Sequence, residues 1–491
     1  MAEQALKILF LAAEAVPFAK MGGLADVAGS LPKAIRALGH DVRLMIPRYG
    51  AIRSDQFHLE KIEDSLSVPV GPRMERIHLA GNFLDGETPA YFIWNEHYFS
   101  SRDQLYGFED DAQRFAVFGR GALAAFHSLD WKPDVIHAND WHTGIVPTWL
   151  DTEGRQDSYY ADIATLFTIH NPAIQGATGR LILTFAKMEY VNHLPVEQPG
   201  TVNWLAQGIA HADLINTVSE RYAQEILTPE MGMGLEPLLQ KRKERLFGVL
   251  NGIAYEQWNP ATDSNIPHRF DAQTLNMRTA NKTVLQQQAR LPVRSDVPLI
   301  GMVTRLDEEK GMDLMEPVLE QFLEEDVQFI LLGIGQPQYH DMLERTQSRF
   351  SGKMRAFLKF DDVLARRIYA GADMLLMPSK IEPCGLGQMI AMRYGCVPIV
   401  RATGGLADTV ANHRTNSKNS TGFAFKNHTT KSCLRALKRA VKIYRDDEKS
   451  WRRLQQNGMA SDFSWETSAK KYIELYRRAI QLRKEAQSPS R

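Results

Sequence analysis

Residues 7–47, KILFLAAEAVPFAKMGGLADVAGSLPKAIRALGHDVRLMIP, decide the fold class. The first five, Lys7 to Leu11, form a short apolar run of the kind used by parallel strands buried on both faces. The loop that follows carries Glu14, Pro17 and Lys20, then Gly22-Gly23. From there Leu24, Val27, Ala28, Leu31, Ile35 and Leu38 recur at helical spacing, and Gly39 stands where a helix stops. Residues 42–46 read as a second strand, ended by Pro47. Strand, helix, strand at the start of a chain predicts a doubly wound α/β sheet, which binds ligands beyond the carboxyl ends of its strands.

The same alternation runs outward from this unit. Residues 57–94 break it with short alternating runs at 76–79 and 90–94 around Asp85-Gly86, a hairpin-rich excursion. A helix over 115–129 restores it, followed by strands at 134–137, 164–169, 214–218 and 246–250, each with a polar or glycine-containing turn after it. Residues 260–294 are polar and rich in Asn and Gln, with a helical pattern over 275–289, and read as a crossover into a second domain. There strands are expected at 299–303, 327–332, 354–358, 374–377 and 397–400, with helices between them. Amphipathic helices follow at 433–444 and 469–482, and the tail 487–491 is expected to be disordered. The expected domains are 1–255, 256–468, and a C-terminal helix with its tail, 469–491, packing back on the first.

With 491 residues, two cores are expected rather than one. The 44% hydrophobic content is that of an ordinary globular protein, and a formal net charge of +0 gives no broad attraction to nucleic acid or to an anionic membrane. The apolar run at 8–13 is interrupted by Glu14 and is too short for a signal segment or a membrane span. Cys384, Cys396 and Cys433 lack CxxC spacing, so neither a zinc site nor a disulfide framework is expected, and a reducing cytoplasm fits.

The stretch most suggestive of chemistry is Pro378-Ser379-Lys380-Ile381-Glu382-Pro383-Cys384-Gly385-Leu386-Gly387-Gln388. It places one carboxylate, Glu382, in a loop between an apolar strand and a helical pattern, where an anion is also favoured. Other polar groups gather after strand ends: Lys20 with Gly22-Gly23, Asp140-Trp141-His142, His170, and Arg305 with Lys310. Lys20 and the glycines can cradle a diphosphate; Arg305 can fork onto phosphate oxygens and Lys310 supplies a point charge, unless both are a solvated turn. Asp140 and His142 can bond sugar hydroxyls with Trp141 stacking on the ring. His170 can donate to a substrate or simply cap its strand. His137 and His142 lack a third metal ligand, so no metal is expected. The pentapeptide Gly-Gly-Leu-Ala-Asp occurs at 22–26 and again at 404–408, each time after a strand. No Walker A, GxSxG or HExxH pattern is present.

In this order the motifs resemble the bacterial glycogen synthase and plant starch synthase family. They are Lys20-Met21-Gly22-Gly23-Leu24, His137 to His142, Thr168-Ile169-His170-Asn171, Thr217-Val218-Ser219, Leu250-Asn251-Gly252-Ile253, Thr304-Arg305-Leu306 with Lys310-Gly311, Glu382 to Leu386, and Thr403-Gly404-Gly405-Leu406. The resemblance runs from Ile8 to about Tyr476. It implies a GT-B fold, two Rossmann-like domains with parallel sheets facing across a deep cleft. It implies transfer of glucose from ADP-glucose to the non-reducing end of an α-1,4-glucan (glycogen, starch or a maltooligosaccharide), with retention, without a metal or other cofactor, in the cytoplasm. UDP-glucose stays open as the donor.

By motif match, Lys20, Gly22, Gly23, Arg305, Lys310, Phe360, Gly385, Leu386, Thr403, Gly404 and Gly405 would bind the donor, with Phe360 stacking on the base. Asp140, His142 and Asn251 would hold sugar and acceptor, while Glu382 and His170 would be catalytic. Ile390 stands where some GT-B families have a second Glu. Met21, Pro172 to Gln175, Ala206-Gln207-Gly208 and Ala254 also depart from the usual pattern. Two other readings remain: a catalytically impaired glucan- or nucleotide-binding protein of this fold, or another GT-B nucleotide-sugar enzyme.

Overall fold

The strand Lys7–Leu11 is buried along all but its first residue, as its unbroken apolar run requires. It lies inside a nine-stranded sheet whose order is Leu246–Gly248, Leu214–Thr217, Ala164–Ile169, Val135–Asn139, Lys7–Leu11, Asp41–Pro47, Pro89–Trp94, Arg73–Phe83 and Glu60–Val70. The pairings are parallel as far as Pro89–Trp94 and antiparallel in the last two. The computed structural model describes residues 4–414 and 417–487, without the side chains of Asp64 and His127. The chain divides into two compact units, residues 1–252 with 465–491, and residues 253–464.

In the first unit the sheet order reverses direction at Lys7–Leu11, which has Asp41–Pro47 on one side and Val135–Asn139 on the other. The loops after Leu11 and Asn139 therefore open at a topological switch point, where doubly wound sheets bind ligands. The helix Gly23–Ala37 buries Leu24, Val27, Ala28, Leu31 and Ile35, and Gly39 turns the chain out at φ +91°. Gly29 of that helix has no room for a side chain. A Cβ there would stand 2.5 Å from the carbonyl oxygen of Val16, so the loop after the first strand is pressed directly on the helix.

The last helix, Trp465–Gln487, packs on this unit against the helix Gly23–Ala37 and the strand Ala164–Ile169. A buried polar chain ties it down. His137 Nδ1 lies 2.8 Å from the Tyr476 hydroxyl and its Nε2 lies 2.6 Å from the Thr168 hydroxyl. Thr168 donates to Asn216 Oδ1 at 2.6 Å, and the Asn216 amide donates to the Tyr472 hydroxyl at 3.2 Å. Burial holds the His137 imidazole far below its ordinary pKa, so it stays neutral. The expected disorder of the tail falls outside the described residues from 488 on, and Gln487 itself closes the helix.

The second unit carries a six-stranded, wholly parallel sheet: Met354–Phe357, Gln328–Leu332, Leu299–Val303, Met374–Met377, Val397–Arg401 and Phe423–Phe425. Its switch point lies between Leu299–Val303 and Met374–Met377. Its core packs Met315, Val318, Leu319 and Phe322 of one helix and Leu437, Ala440 and Val441 of another against the strands. Among the described residues, no helix is long and apolar enough to cross a membrane.

Several elements differ from expectation. The hairpin strands Glu60–Val70 and Arg73–Phe83 are each 11 residues long, because charged residues at the exposed edge hide their alternation. The helical pattern over 275–289 is a tight turn, Leu275–Met277, leading into Arg278–Gln288. The edge strand Phe423–Phe425 has three residues, too few for a period to show.

The Tyr476 hydroxyl is a partner that His137 cannot replace with water. Tyr476→Phe is expected to cost roughly 1–3 kcal/mol in urea denaturation, the penalty for one buried unsatisfied polar group.

Candidate functional site

In the first unit, the loop after Leu11 folds over Glu14. This side chain is 2% exposed, and its carboxylate accepts from the N–H of Met21 and, at 3.1 and 3.2 Å, from the N–H of Gly22. Lys20, Met21, Gly22 and Gly23 form the exposed outer surface of the turn. Lys20 Nζ contacts both oxygens of Asp26 at 2.8 and 2.9 Å. The Gly22 N–H thus points inward to Glu14 and Lys20 pairs with Asp26, partners that the expected glycine-and-lysine cradle did not include. Gly23, the first residue of the helix, has open space where a Cβ would stand.

The loop after Asn139 supplies the second wall of this unit's crevice. Asp140 takes φ +55° with ψ −179°, outside the left-handed helical region and strained for a residue with a Cβ. Its carboxylate accepts from the His170 N–H at 2.7 Å. Burial raises its pKa to about 7; the backbone N–H groups of His170 and Asn171 pull the other way, and the charge of Glu14 adds to the rise.

His170 is neutral, with burial lowering its pKa to about 3. The Asn139 amide nitrogen donates to the Leu11 carbonyl at 2.9 Å, which turns Oδ1 toward His170 Nε2, also at 2.9 Å. With its Nε2 proton committed to Asn139, the imidazole is left with Nδ1 as an acceptor, whereas donation was expected.

Trp141 is no stacking platform. It is buried, a Cβ on Gly176 would stand 2.2 Å from its ring, and the His142 ring covers it at 4.2 Å. His142 is boxed further by Phe115 at 4.6 Å and Tyr106 at 5.0 Å, and both its ring nitrogens are buried without a protein partner. Burial holds its pKa at about 3. Asn251, beyond the strand Leu246–Gly248, is also buried with Oδ1 unpartnered. His137, weighed as a metal ligand, spends both nitrogens in the core. Among the described residues, no group of three or more His, Cys, Asp or Glu side chains is placed to hold a metal ion.

In the second unit, the loops after Val303 and Met377 are joined at the switch point. Lys310 Nζ lies 2.8 Å from each oxygen of Glu382, and the Ser379 hydroxyl donates to the same carboxylate at 2.9 Å. Glu382 is 6% exposed. The backbone fixes this meeting: the N–H of Lys380 donates to the Glu309 carbonyl at 2.8 Å, and Asp307 caps the turn by accepting from the Lys310 N–H at 3.0 Å. A third loop closes on these two. A Cβ on Gly404 would stand 2.0 Å from the Glu382 carbonyl oxygen, and one on Gly405 2.0 Å from that of Cys384. Gly385 sits at φ +71° just before Leu386, which leads into the helix Gly387–Arg393. Thr403 is buried, whereas Phe360 is 84% exposed. Arg305 is exposed and paired at 3.3 Å with both Asp307 and Glu309.

A family model described as a starch synthase catalytic domain matches residues 7–241, and one described as glycosyl transferases group 1 matches residues 285–460. A glycogen synthase of Moorella thermoacetica is 43% identical over 485 residues, 98% of each chain. The chain belongs to the bacterial glycogen synthase and plant starch synthase family. Another relative, a glycogen synthase of Thermotoga maritima, is 41% identical over 482 residues, 97% of this chain and 99% of its own. The catalytic domain of starch synthase IV from Arabidopsis thaliana, solved bound to ADP and acarbose, matches with a TM-score of 0.88 and 35% identity over 97% of this chain and all of that one. The fold is therefore GT-B, two α/β units with parallel sheets, and the enzyme is a glucan-elongating glucosyltransferase of the glycogen synthase kind.

Sequence reasoning gave no role to Glu14, Asn139 or Ser379, whose hydrogen bonds hold the Gly22 turn, His170 and Glu382. Glu14 had a signal, an acid that breaks a buried apolar run just before a glycine turn. Asn139 and Ser379 lay inside the quoted motifs with nothing to show their partners.

The raised pKa of Asp140 sets a pH test. Between about 4, the ordinary carboxyl value, and about 7, the folded chain holds a proton that the unfolded chain has lost, so the stability contributed by this group falls as pH rises. Asp140→Asn has no such loss. Its stability relative to the parent should climb by about 3 kcal/mol between pH 4.5 and about 7.5, read from urea denaturation.

Proposed function

We propose that this glucosyltransferase takes its glucose from ADP-glucose and adds it to the non-reducing 4-hydroxyl of an α-1,4-glucan, with retention. The buried Lys310–Glu382 pair at the switch point of the second unit carries the reading. It puts a cation suited to a departing diphosphate beside a carboxylate suited to a cation-like sugar. The relative solved with ADP and acarbose supports a nucleoside diphosphate and a glucan-like oligosaccharide as ligands of this family.

The chemistry sets what each group does. As the glycosidic bond breaks, negative charge grows on the diphosphate and positive charge on the anomeric carbon. Arg305 and Lys310 serve the phosphates, with Lys20 and Gly23 as further contacts; Gly22 contributes chiefly its lack of a side chain. Lys310, paired with Glu382 before the donor arrives, then divides its hydrogen bonds between carboxylate and phosphate. Glu382 faces the developing cation. Gly385, Leu386, Thr403, Gly404 and Gly405 line the diphosphate and sugar, where side chains have no room, and Phe360 stacks on the base.

Asp140 and His170 accept from glucose hydroxyls, and the unpartnered polar atoms of His142 and Asn251 bond sugar or its bound water. The cationic side chains supply the charge that a metal otherwise would, so the reaction runs without one. Soluble sugar-nucleotide chemistry and three buried free thiols fit the cytoplasm.

Radiolabelled glucose should pass from ADP-glucose to glycogen, and faster than from UDP-glucose. No incorporation from either donor by folded protein overturns the reading. Glu382→Gln should lower kcat by about 100-fold or more with the donor KM within a few-fold, because the charge it meets exists only in the transition state. Lys20→Ala should raise the donor KM several-fold with little change in kcat.

A further inference from the structure

Glu14 has no part in the reaction as described, yet it is a buried carboxylate at the switch point of the first unit. Burial raises its pKa, and the N–H groups of Met21 and Gly22 oppose that rise. Such a group is costly unless hydrogen bonds compensate for lost water. Consecutive N–H groups in a glycine turn form a nest that an anion would otherwise occupy. Here the anion is built in: both oxygens of Glu14 reach the nest from inside. The Tyr106 hydroxyl faces the same carboxylate; burial, and then the charge of Glu14, raise its pKa. The other charges facing Glu14 are Lys20 and Asp26 beside the turn and Asp140 across the crevice. With its inner N–H groups satisfied, the turn has one shape, and that shape leaves Lys20 and Gly23 on the outer surface.

We propose that Glu14 is a positioning residue for the donor, an internal anion that fixes the Lys20–Gly23 turn so that its outer surface is ready for phosphate. The inference rests on reading that turn as part of the donor site. An alternative, in which Glu14 holds the place of a donor phosphate and must leave, predicts the opposite change in affinity.

The experiment measures ADP affinity by calorimetry and steady-state kinetics, varying donor and glucan separately, for Glu14→Ala, Glu14→Gln, Tyr106→Phe and the double variant Glu14→Ala/Tyr106→Phe. Glu14→Ala should raise the ADP Kd and donor KM about tenfold, with the glucan KM within about twofold, since misplacing a binding group by a fraction of an ångström has effects of this size. Glu14→Gln, which keeps one acceptor oxygen, should fall between it and the parent. Tyr106→Phe should raise both constants a few-fold alone and add nothing to Glu14→Ala, because it reaches the turn through Glu14.

An ADP Kd in Glu14→Ala equal to the parent's, or tighter, overturns the proposal. If Glu14→Ala does not fold, the same criteria apply to Glu14→Gln and Tyr106→Phe. Calorimetry needs no turnover. Failure of the parent to transfer glucose therefore sinks the reaction, whereas an unchanged ADP affinity in the variants sinks the positioning role.

Discussion

A carboxylate with almost no access to water has to be balanced by something, and for Glu382 that is one lysine and one hydroxyl. The surrounding geometry of the second unit exists to make this pair possible. Two parallel strands, Leu299–Val303 and Met374–Met377, end side by side at the point where the sheet order reverses, so their loops emerge together. Backbone bonds from Lys380 to Glu309 and the Asp307 cap hold the lysine and the acid in reach of each other. Gly404 and Gly405 then allow a third loop to approach to distances that no side chain would permit. Buried ion pairs are weak devices for stability, because desolvation offsets much of their attraction. In the proposed reaction their use is chemical: a cation and an anion that a polarised reactant can draw apart.

The first unit solves a different problem with similar parts. Its crevice is rich in carboxyls, with Glu14, Asp26 and Asp140 around one turn and one loop. Each is handled separately: Glu14 by backbone N–H groups, Asp26 by Lys20, and Asp140 by the His170 and Asn171 N–H groups. The neutral imidazoles of His170 and His142 add polarity without charge. A surface of acceptors and neutral rings suits sugar hydroxyls, which donate, just as the cations of the second unit suit phosphate.

Much of this was legible in the sequence because parallel strands buried on both faces leave unbroken apolar runs. Ala164–Ile169, Leu299–Val303 and Met374–Met377 stand where those runs predicted them. Glu382 was legible too, as a lone acid in a loop between such a strand and a helix. Partnerships were not. That Lys20 turns to Asp26, that Gly22 turns inward to Glu14, and that Gly176 seals the face of Trp141 depend on how loops fold over one another, which no local period records. The direction of the His170 hydrogen bond was hidden for the same reason, since it is set by the Asn139 amide, itself oriented by the Leu11 carbonyl on a neighbouring strand.

The central claim is that Lys310 is shared between Glu382 and the departing phosphate. A double-mutant cycle on kcat, with Glu382→Gln, Lys310→Gln and both together, reads this directly. If one lysine serves both anions, the two losses overlap, and the double variant should be no more than a few-fold slower than the slower single one. Two losses that simply multiply would mean that the residues act independently, and would contradict the account.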